Sequence, residues 1–175
     1  MTRQHDRRAA ETVFGVAGPD HVAALTTLEE RANRVALAHV FGSELPYPYV
    51  DVLARWRLVL EDPAATTLAA WSGHDLVGFA AYDPVSLRHL AVAVERFGTG
   101  LADDLHARVV DDWRRAGTTS ARLWVLEDNQ RARRFYARHG WVLDGRRQDS
   151  PWPPYPVEIG HALRGGPSVE QAVTL

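Results

Sequence analysis

The chain has 175 residues, a length that fits one domain able to bury its own core. Its net charge of -2 and its lack of cysteine exclude disulfides, a cysteine nucleophile and a strongly basic nucleic-acid-binding surface. All 20 basic residues are arginine, which also excludes a Schiff-base lysine and the lysine of a nucleoside-triphosphate loop.

Hydrophobic periodicity and turn residues predict elements in the order β-α-α-β-β-β-α-β-α-β-β. The expected strands are 12–17, 66–72, 76–82, 87–94, 121–126, 141–145 and 157–163, and the expected helices are 20–40, 49–61, 100–116 and 129–139. Asp20 is expected to cap the first helix, and Gly117 to end the third in the left-handed conformation. This order predicts a mixed α/β sheet with helices on both faces.

The two ends of the chain, 1–11 and 165–175, are expected to be loose around a single domain with its core at about 12–164. Residues 1–11 are polar and lack the apolar region of a signal peptide, and no apolar run reaches membrane-spanning length. The bias towards arginine and alanine is typical of a high-GC bacterial genome. These features predict a bacterial, cytoplasmic protein without a membrane or nucleic-acid partner.

The most informative local feature is a glycine turn between a predicted strand and a predicted helix. Leu90 to Val94 is apolar, and Phe97-Gly98-Thr99-Gly100-Leu101-Ala102 follows two residues later. The start of a helix leaves N–H groups unpaired, and glycines let phosphate oxygens approach them. A plain turn, a dinucleotide-binding turn of G-x-G-x-x-G type and a coenzyme A diphosphate turn are the three interpretations. Asp103 argues against the second, because a carboxylate at the third glycine position would repel a diphosphate.

Phe97-Gly98-Thr99-Gly100-Leu101-Ala102 resembles the Q/R-x-x-G-x-G/A motif of the GNAT superfamily of acyl-CoA-dependent N-acyltransferases. Phe97 stands where that motif has glutamine or arginine, and Val94 stands where proline is common. The resemblance implies that the main chain of these six residues holds the diphosphate of acetyl-CoA. It also implies that Leu90 and Val92 offer main-chain groups to the pantetheine arm, as an added strand does.

A second motif follows downstream in the expected order. Leu123 to Asn129, followed by Ala132, Phe135, Tyr136, Gly140 and Trp141, is similar to the family's strand, N-x-x-A-x-x-F/Y-Y and G-F/W. By that resemblance Asn129 binds the pantetheine arm, although asparagine there is equally expected to cap the helix. Tyr136 would act as general acid on the departing thiolate, the competing interpretation being a core tyrosine beside Phe135. Together the motifs imply a GNAT-like, mostly antiparallel sheet of six to seven strands.

The implied reaction is direct acetyl transfer from acetyl-CoA to a primary amine of a small molecule or peptide. The N–H of Val92 is expected to hold the oxyanion. The family often has a carboxylate on the strand before the glycine turn as base, but Ser86 to Val94 contains none. Ser86 lies near that place, and the other candidates for the base are Glu44, Asp83, His89, Glu158 and His161. His89 is the nearest titratable group in sequence.

A metal is not expected, because the eight histidines show no close pairing and thiols are absent. Two proline-rich segments, 44–49 and 151–156, are candidates for the acceptor pocket, since GNAT proteins border it with the first interhelical loop and the last hairpin. The residues expected on this side are Glu44, Tyr47, His89, Trp152 and Tyr155. Equally, prolines can stiffen surface loops whose aromatic residues cover the core.

One alternative function shares the fold. Phe97 in the glutamine or arginine position and the missing carboxylate suggest a CoA-binding regulatory module with weak transfer activity. Turnover with any amine would separate the two functions. A homodimer is compatible with either.

Overall fold

The computed structural model describes residues 11–42 and 44–164, so nearly all of the predicted loose ends lie outside the described residues. Within them the helices are α1 (Val22–Ala36), α2 (Ala38–Phe41), α3 (Tyr49–Glu61), α4 (Leu101–Arg115) and α5 (Gln130–Arg138). The strands are β1 (Thr12–Val16), β2 (Thr66–Ser72), β3 (Asp75–Asp83), β4 (Ser86–Val92), β5 (Ser120–Leu126), β6 (Val142–Asp149) and β7 (Val157–Arg164). Short 3-10 turns occupy Pro19–His21 and Val94–Arg96.

The strands form one sheet in the order β1-β2-β3-β4-β5-β7-β6, seven strands in the part of the chain described. Five neighbouring pairs are antiparallel, and β4 with β5 is the parallel pair. The prediction of a mixed, mostly antiparallel sheet of six to seven strands is therefore confirmed.

Alternation along the central strands divides the core into two layers, because successive strand residues face opposite sides of a sheet. Ala69, Phe79 and Ala81 lie on the side of α1 and α3, in a cluster with Leu25 and Trp56. Their neighbours Ala70, Ala80 and Tyr82 lie on the side of α4 and α5. Helices thus cover both faces, as predicted.

Helix α4 shows why its sequence folds this way. Leu101, Leu105, Val109 and Trp113 recur every four residues and form one stripe, and none is more than 4% exposed. Burying an aliphatic side chain of this size contributes about 1.5–3 kcal/mol. The helix ends as predicted at Gly117, which has φ +74°. This packing holds the N-terminus of α4 at the end of β4.

Several sequence predictions were wrong in detail. The single helix expected at 20–40 is divided at Leu37 into α1 and α2. Asp20 does not cap α1. It lies in the 3-10 turn, where the main-chain N–H of Gly18 donates to Nδ1 of His21 at 3.0 Å. Strand β4 ends at Val92 rather than Val94, because a 3-10 turn follows it. Strand β6 continues to Asp149 instead of stopping at Gly145, because an irregularity in the pairing between Leu143 and Arg147 absorbs that glycine.

Candidate functional site

The parallel strands β4 and β5 part soon after they meet. Ser86 pairs with Arg122, and the N–H of Arg122 donates to the carbonyl of Val85 at 2.9 Å. No further ladder pair joins these two strands, both of which lie fully within the described residues. An irregularity at Arg88 bends β4, since Tyr82 of β3 pairs with Leu87 while Ala81 pairs with His89. The result is a gap between the C-terminal halves of β4 and β5.

The main chain of β4 faces this gap at two of the predicted positions. Ala93 donates to the carbonyl of Val77 at 2.9 Å, and Val92 pairs with Gly78 in antiparallel register. Hydrogen-bonded and non-hydrogen-bonded pairs alternate in an antiparallel ladder. The N–H and C=O groups of Leu90 and Val92 therefore point away from β3, towards β5.

The glycine turn lies at the open end of the gap and leads into α4. Gly98 and Gly100 have φ of +74° and +90°, a region that side chains disfavour. A Cβ added at either glycine would meet no protein atom within 4 Å, so the space above the turn is open. Asp104 N–H donates to the Gly100 carbonyl as the helix starts, which leaves the preceding N–H groups without intrahelical acceptors. The N–H groups of Phe97 and Thr99 donate within the turn, to the carbonyls of Val94 at 3.1 Å and Arg96 at 3.3 Å. Those of Gly98, Gly100, Leu101 and Ala102 have no main-chain acceptor among the described residues, so this part of the turn is able to bind an anion.

Asp103 does not present an unpaired charge at this turn. Its Oδ1 accepts hydrogen bonds from Arg138 Nη2 at 2.6 Å and His139 Nε2 at 2.8 Å, both at the end of α5. Burial alone would raise the pKa of Asp103, but these two partners outweigh it and hold the pKa below its ordinary value. The carboxylate that argued against a dinucleotide turn is therefore engaged with α5.

Asn129 lies across the gap from the glycine turn, at the start of α5. Its Oδ1 accepts from the N–H of Ala132 at 3.1 Å, which confirms the predicted N-cap. The side-chain NH₂ group is left to donate to another partner. His39 of α2 reaches the same loop, with Nε2 3.0 Å from the Asp128 carbonyl oxygen.

Tyr136 belongs to the apolar layer that also contains Val92 and Leu90. It is 8% exposed, and the rings of Phe135 and Trp141 lie 5.1 and 5.9 Å from its own. Burial raises the pKa of the Tyr136 hydroxyl above its ordinary value. The hydroxyl therefore keeps its proton at neutral pH, which is the state that a general acid requires.

His89 serves packing rather than proton transfer. Its ring lies 5.8 Å from the ring of Trp56, on the α1–α3 side of the sheet. Burial lowers the pKa of His89 to about 4, although the charge of Glu29 acts in the opposite direction. An imidazole with such a pKa is a weak base at neutral pH.

Two of the other candidates for the base, Asp83 and Glu158, are engaged in hydrogen bonds. Asp83 accepts from Ser86 Oγ at 2.5 Å and from Arg88 Nε at 2.8 Å. These bonds hold its pKa below the ordinary value, against the effect of burial. Glu158 accepts from Gln148 Nε2 at 2.7 Å, and burial lowers the pKa of His161.

Each of the two predicted acceptor segments has one aromatic residue that packs on the α1–α3 side of the sheet. Tyr47 and Trp152 pack against the same apolar cluster as Ala91. The Tyr47 hydroxyl is buried, and burial, together with the charge of Glu29, raises its pKa. Tyr155 is 58% exposed, and Glu44 is exposed at the surface. The structure thus places Tyr47 and Trp152 against one apolar cluster and leaves Glu44 and Tyr155 exposed.

Sequence reasoning missed two charged residues near the site. Glu29 is buried between α1 and α3, where Arg55 and Trp56 donate to it. Arg131 lies over Phe97, with its guanidinium carbon 3.8 Å from the ring centroid. Glu29 could have been found from the sequence, because it is a glutamate on the apolar side of α1. The contact of Arg131 with Phe97 joins residues 34 positions apart, so no local sequence pattern indicates it.

Two kinds of feature are absent from the described residues. No group of three or more histidine or acidic residues there could hold a metal ion. No helix among them is both long and apolar enough to cross a membrane.

Solved structures with the same fold include three N-acetyltransferases. The GCN5-related N-acetyltransferase from Rhodopseudomonas palustris aligns with a TM-score of 0.75 at 16% identity, covering 89% of this chain and 97% of that one. The ribosomal-protein-S18-alanine N-acetyltransferase from Escherichia coli gives 0.70 at 15% identity, with 94% and 100% covered. The PaiA N-acetyltransferase from Thermoplasma acidophilum, in complex with coenzyme A, gives 0.66 at 14% identity, with 86% and 98% covered.

At these identities the likeness shows a common fold. No curated protein matches the chain in sequence. The model of the acetyltransferase (GNAT) family, however, matches residues 23–141, well over half of the chain. With the splayed strands, the glycine turn and that match, the chain belongs to the GNAT family of acetyltransferases.

Proposed function

We propose that this protein transfers an acetyl group from acetyl-CoA to a primary amine of a small molecule or peptide in the bacterial cytoplasm. The observation that carries the proposal is the gap between β4 and β5. Main-chain groups of Leu90 and Val92 face it, the glycine turn lies at its open end, and Asn129 lies across from the turn.

The shape and chemistry of the gap suit coenzyme A. An extended pantetheine arm can bind the outward main-chain groups of β4 as an additional strand would. The open space above Gly98 and Gly100 leaves room for the diphosphate at the N-terminus of α4. The relative from Thermoplasma acidophilum, with the same fold, was solved with coenzyme A, which supports this choice of donor.

Two groups of the protein, the N–H of Val92 and the hydroxyl of Tyr136, would assist the reaction. The amine nitrogen attacks the thioester carbonyl carbon, and the N–H of Val92 stabilises the oxyanion that forms. When the carbon–sulfur bond breaks, the Tyr136 hydroxyl gives its proton to the departing thiolate. The amine must lose a proton, and β4 offers no free carboxylate, so we assign this transfer to water. The products are an amide and free coenzyme A.

The acceptor is proposed to enter from the α1–α3 side of the gap. The register of β5 with β7 places the loop that contains Trp152 beyond Leu126, at the C-terminal end of β5. Trp152 and Tyr47 would then form an apolar wall beside Ala91. The Trp152→Ala variant should raise KM for the amine and leave KM for acetyl-CoA unchanged.

Two measurements test the proposed function. Calorimetry with acetyl-CoA should show saturable binding, and a thiol-release assay over small amines and peptides should identify an acceptor. Lack of binding at millimolar acetyl-CoA would rule out the proposal. Binding without turnover on any amine would favour the CoA-binding regulatory module instead.

A further inference from the structure

Arg131 lies directly over the residue that precedes the two glycines of the turn. Its guanidinium carbon is 3.8 Å from the centroid of the Phe97 ring. Phe97 belongs to the turn after β4, whereas Arg131 belongs to the first turn of α5. A guanidinium over an aromatic face keeps its N–H edges free to bind other groups. The pair therefore presents a cation at the open end of the gap.

Three other arginines near the turn are engaged elsewhere. Arg138 pairs with Asp103, and Arg31 pairs with Glu95 at 2.8 Å. Arg96 donates to Thr12 Oγ1 at 3.3 Å. No carboxylate of the described residues pairs with Arg131, which is exposed. Its charge is therefore available to a ligand.

We propose that Arg131 binds the diphosphate of the acyl-CoA substrate and that Phe97 holds it in place. The inference rests on the proposed function. A glutamine or arginine at position 97 would reach the phosphates from the turn itself, and phenylalanine cannot. The structure supplies the missing donor from the facing helix, and the aromatic ring at 97 becomes its support. Charge-assisted hydrogen bonds from a guanidinium to phosphate oxygens are among the stronger polar contacts.

Calorimetry on the full chain tests this with three ligands: coenzyme A, dephospho-coenzyme A, which lacks the 3′-phosphate, and pantetheine, which lacks all phosphates. The Arg131→Ala variant should bind both nucleotide ligands about tenfold more weakly than the wild type. Its affinity for pantetheine should not change. Phe97→Leu, which removes the aromatic face, should weaken the binding of coenzyme A and of dephospho-coenzyme A by about two- to fivefold.

A rescue experiment separates binding from structure. Adding Phe97→Arg to Arg131→Ala returns a guanidinium to the turn, and the double variant should recover most of the lost affinity. The matched control is Arg108→Ala, because Arg108 lies 3.8 Å from the Phe14 centroid in the same kind of contact, two helical turns into α4. That variant should bind all three ligands like the wild type.

Each contrary outcome is distinct. Unchanged binding by Arg131→Ala, in a wild type that binds coenzyme A, would overturn this inference and leave the proposed function in place. Weaker binding of coenzyme A alone, with dephospho-coenzyme A unaffected, would move Arg131 to the 3′-phosphate and overturn its assignment to the diphosphate. A wild type that binds none of the ligands would remove the proposed function and this inference together.

Discussion

Glu29 of α1 and Arg55 of α3 form a buried ion pair in which Arg55 Nη2 lies 2.7 Å from both carboxylate oxygens. Trp56 Nε1 donates to the same carboxylate at 2.7 Å, so two side chains of α3 satisfy one charge of α1. The Glu29 side chain is 6% exposed and that of Arg55 is 28% exposed. This contact fixes the two helices that cover the proposed acceptor side of the sheet.

Replacing Glu29 with alanine should lower the free energy of unfolding by about 3 kcal/mol, because it leaves the guanidinium and the indole N–H without their acceptor. Chemical denaturation monitored by tryptophan fluorescence measures the loss. The matched control is Glu30→Ala, which removes the more exposed i,i+4 pair with Arg34 and should cost under about 1 kcal/mol. Equal losses for the two variants would contradict the structural role of Glu29.

The two ends of α4 offer a paired test of the glycine turn. Gly100 and Gly117 both have positive φ, and neither would bring an added Cβ within 4 Å of another atom. Alanine at either position should therefore cost about 1 kcal/mol in stability, through backbone strain alone. Only Gly100→Ala should also weaken binding of coenzyme A, because its methyl group projects into the space above the turn. Similar affinities for the two variants would argue against diphosphate binding there.

His106 should make the stability of the protein depend on pH. It is 4% exposed, and its Nε2 accepts from Trp141 Nε1 at 2.9 Å, so the folded state requires the neutral ring. Burial, together with the charges of His139 and Arg138, lowers its pKa from 6.5 to about 4. Between these two values the unfolded chain binds a proton and the folded chain does not, so stability falls as pH falls.

Protonation of His106 should lower the free energy of unfolding by about 3 kcal/mol between pH 6.5 and 4. Above pH 7 this titration should not change the stability. Denaturation curves across this range measure it. His106→Gln keeps an acceptor for Trp141 and removes the titration, so its stability should fall less steeply with acid. His74→Gln, on an exposed turn, is the control and should retain the wild-type slope. An unchanged slope in His106→Gln would contradict the prediction.

Local sequence patterns predicted most of the fold because its elements have strong periodic signals. The stripe from Leu101 to Trp113 and the left-handed Gly117 are both decided within one helix, and both were confirmed. The sequence prediction ended β6 at Gly145, whereas pairing with β7 extends the strand beyond this glycine. The length of β6 is thus set by a neighbouring strand, which the local sequence around Gly145 does not include.

The candidate site also combines features set by local sequence with contacts between distant segments. The glycine turn and the Asn129 cap are local, so the sequence alone located the turn and gave the cap as one of two interpretations of Asn129. The contacts of Arg131 with Phe97 and of Glu29 with Arg55 join distant segments, so only the assembled sheet and helices reveal them. The engagement of Asp103 by Arg138 is of this second kind, and it removed an unpaired charge that the sequence had placed beside the phosphates.

Tyr136→Phe tests the proposed general acid. Burial raises the pKa of Tyr136 above its ordinary value of 10.0, so its hydroxyl is protonated throughout the neutral range. Removing it should lower kcat about a hundredfold, the smaller end of what proton transfer contributes, and leave coenzyme A affinity within about twofold. Wild-type turnover should show no loss from ionisation of this group below pH 10. The control, Tyr82→Phe, removes a hydroxyl that donates to Asp112, so it should lower stability and leave kcat unchanged. If Tyr136→Phe turned over like the wild type, Tyr136 would be a packing residue beside Phe135, and the proton for the thiolate would have to come from solvent.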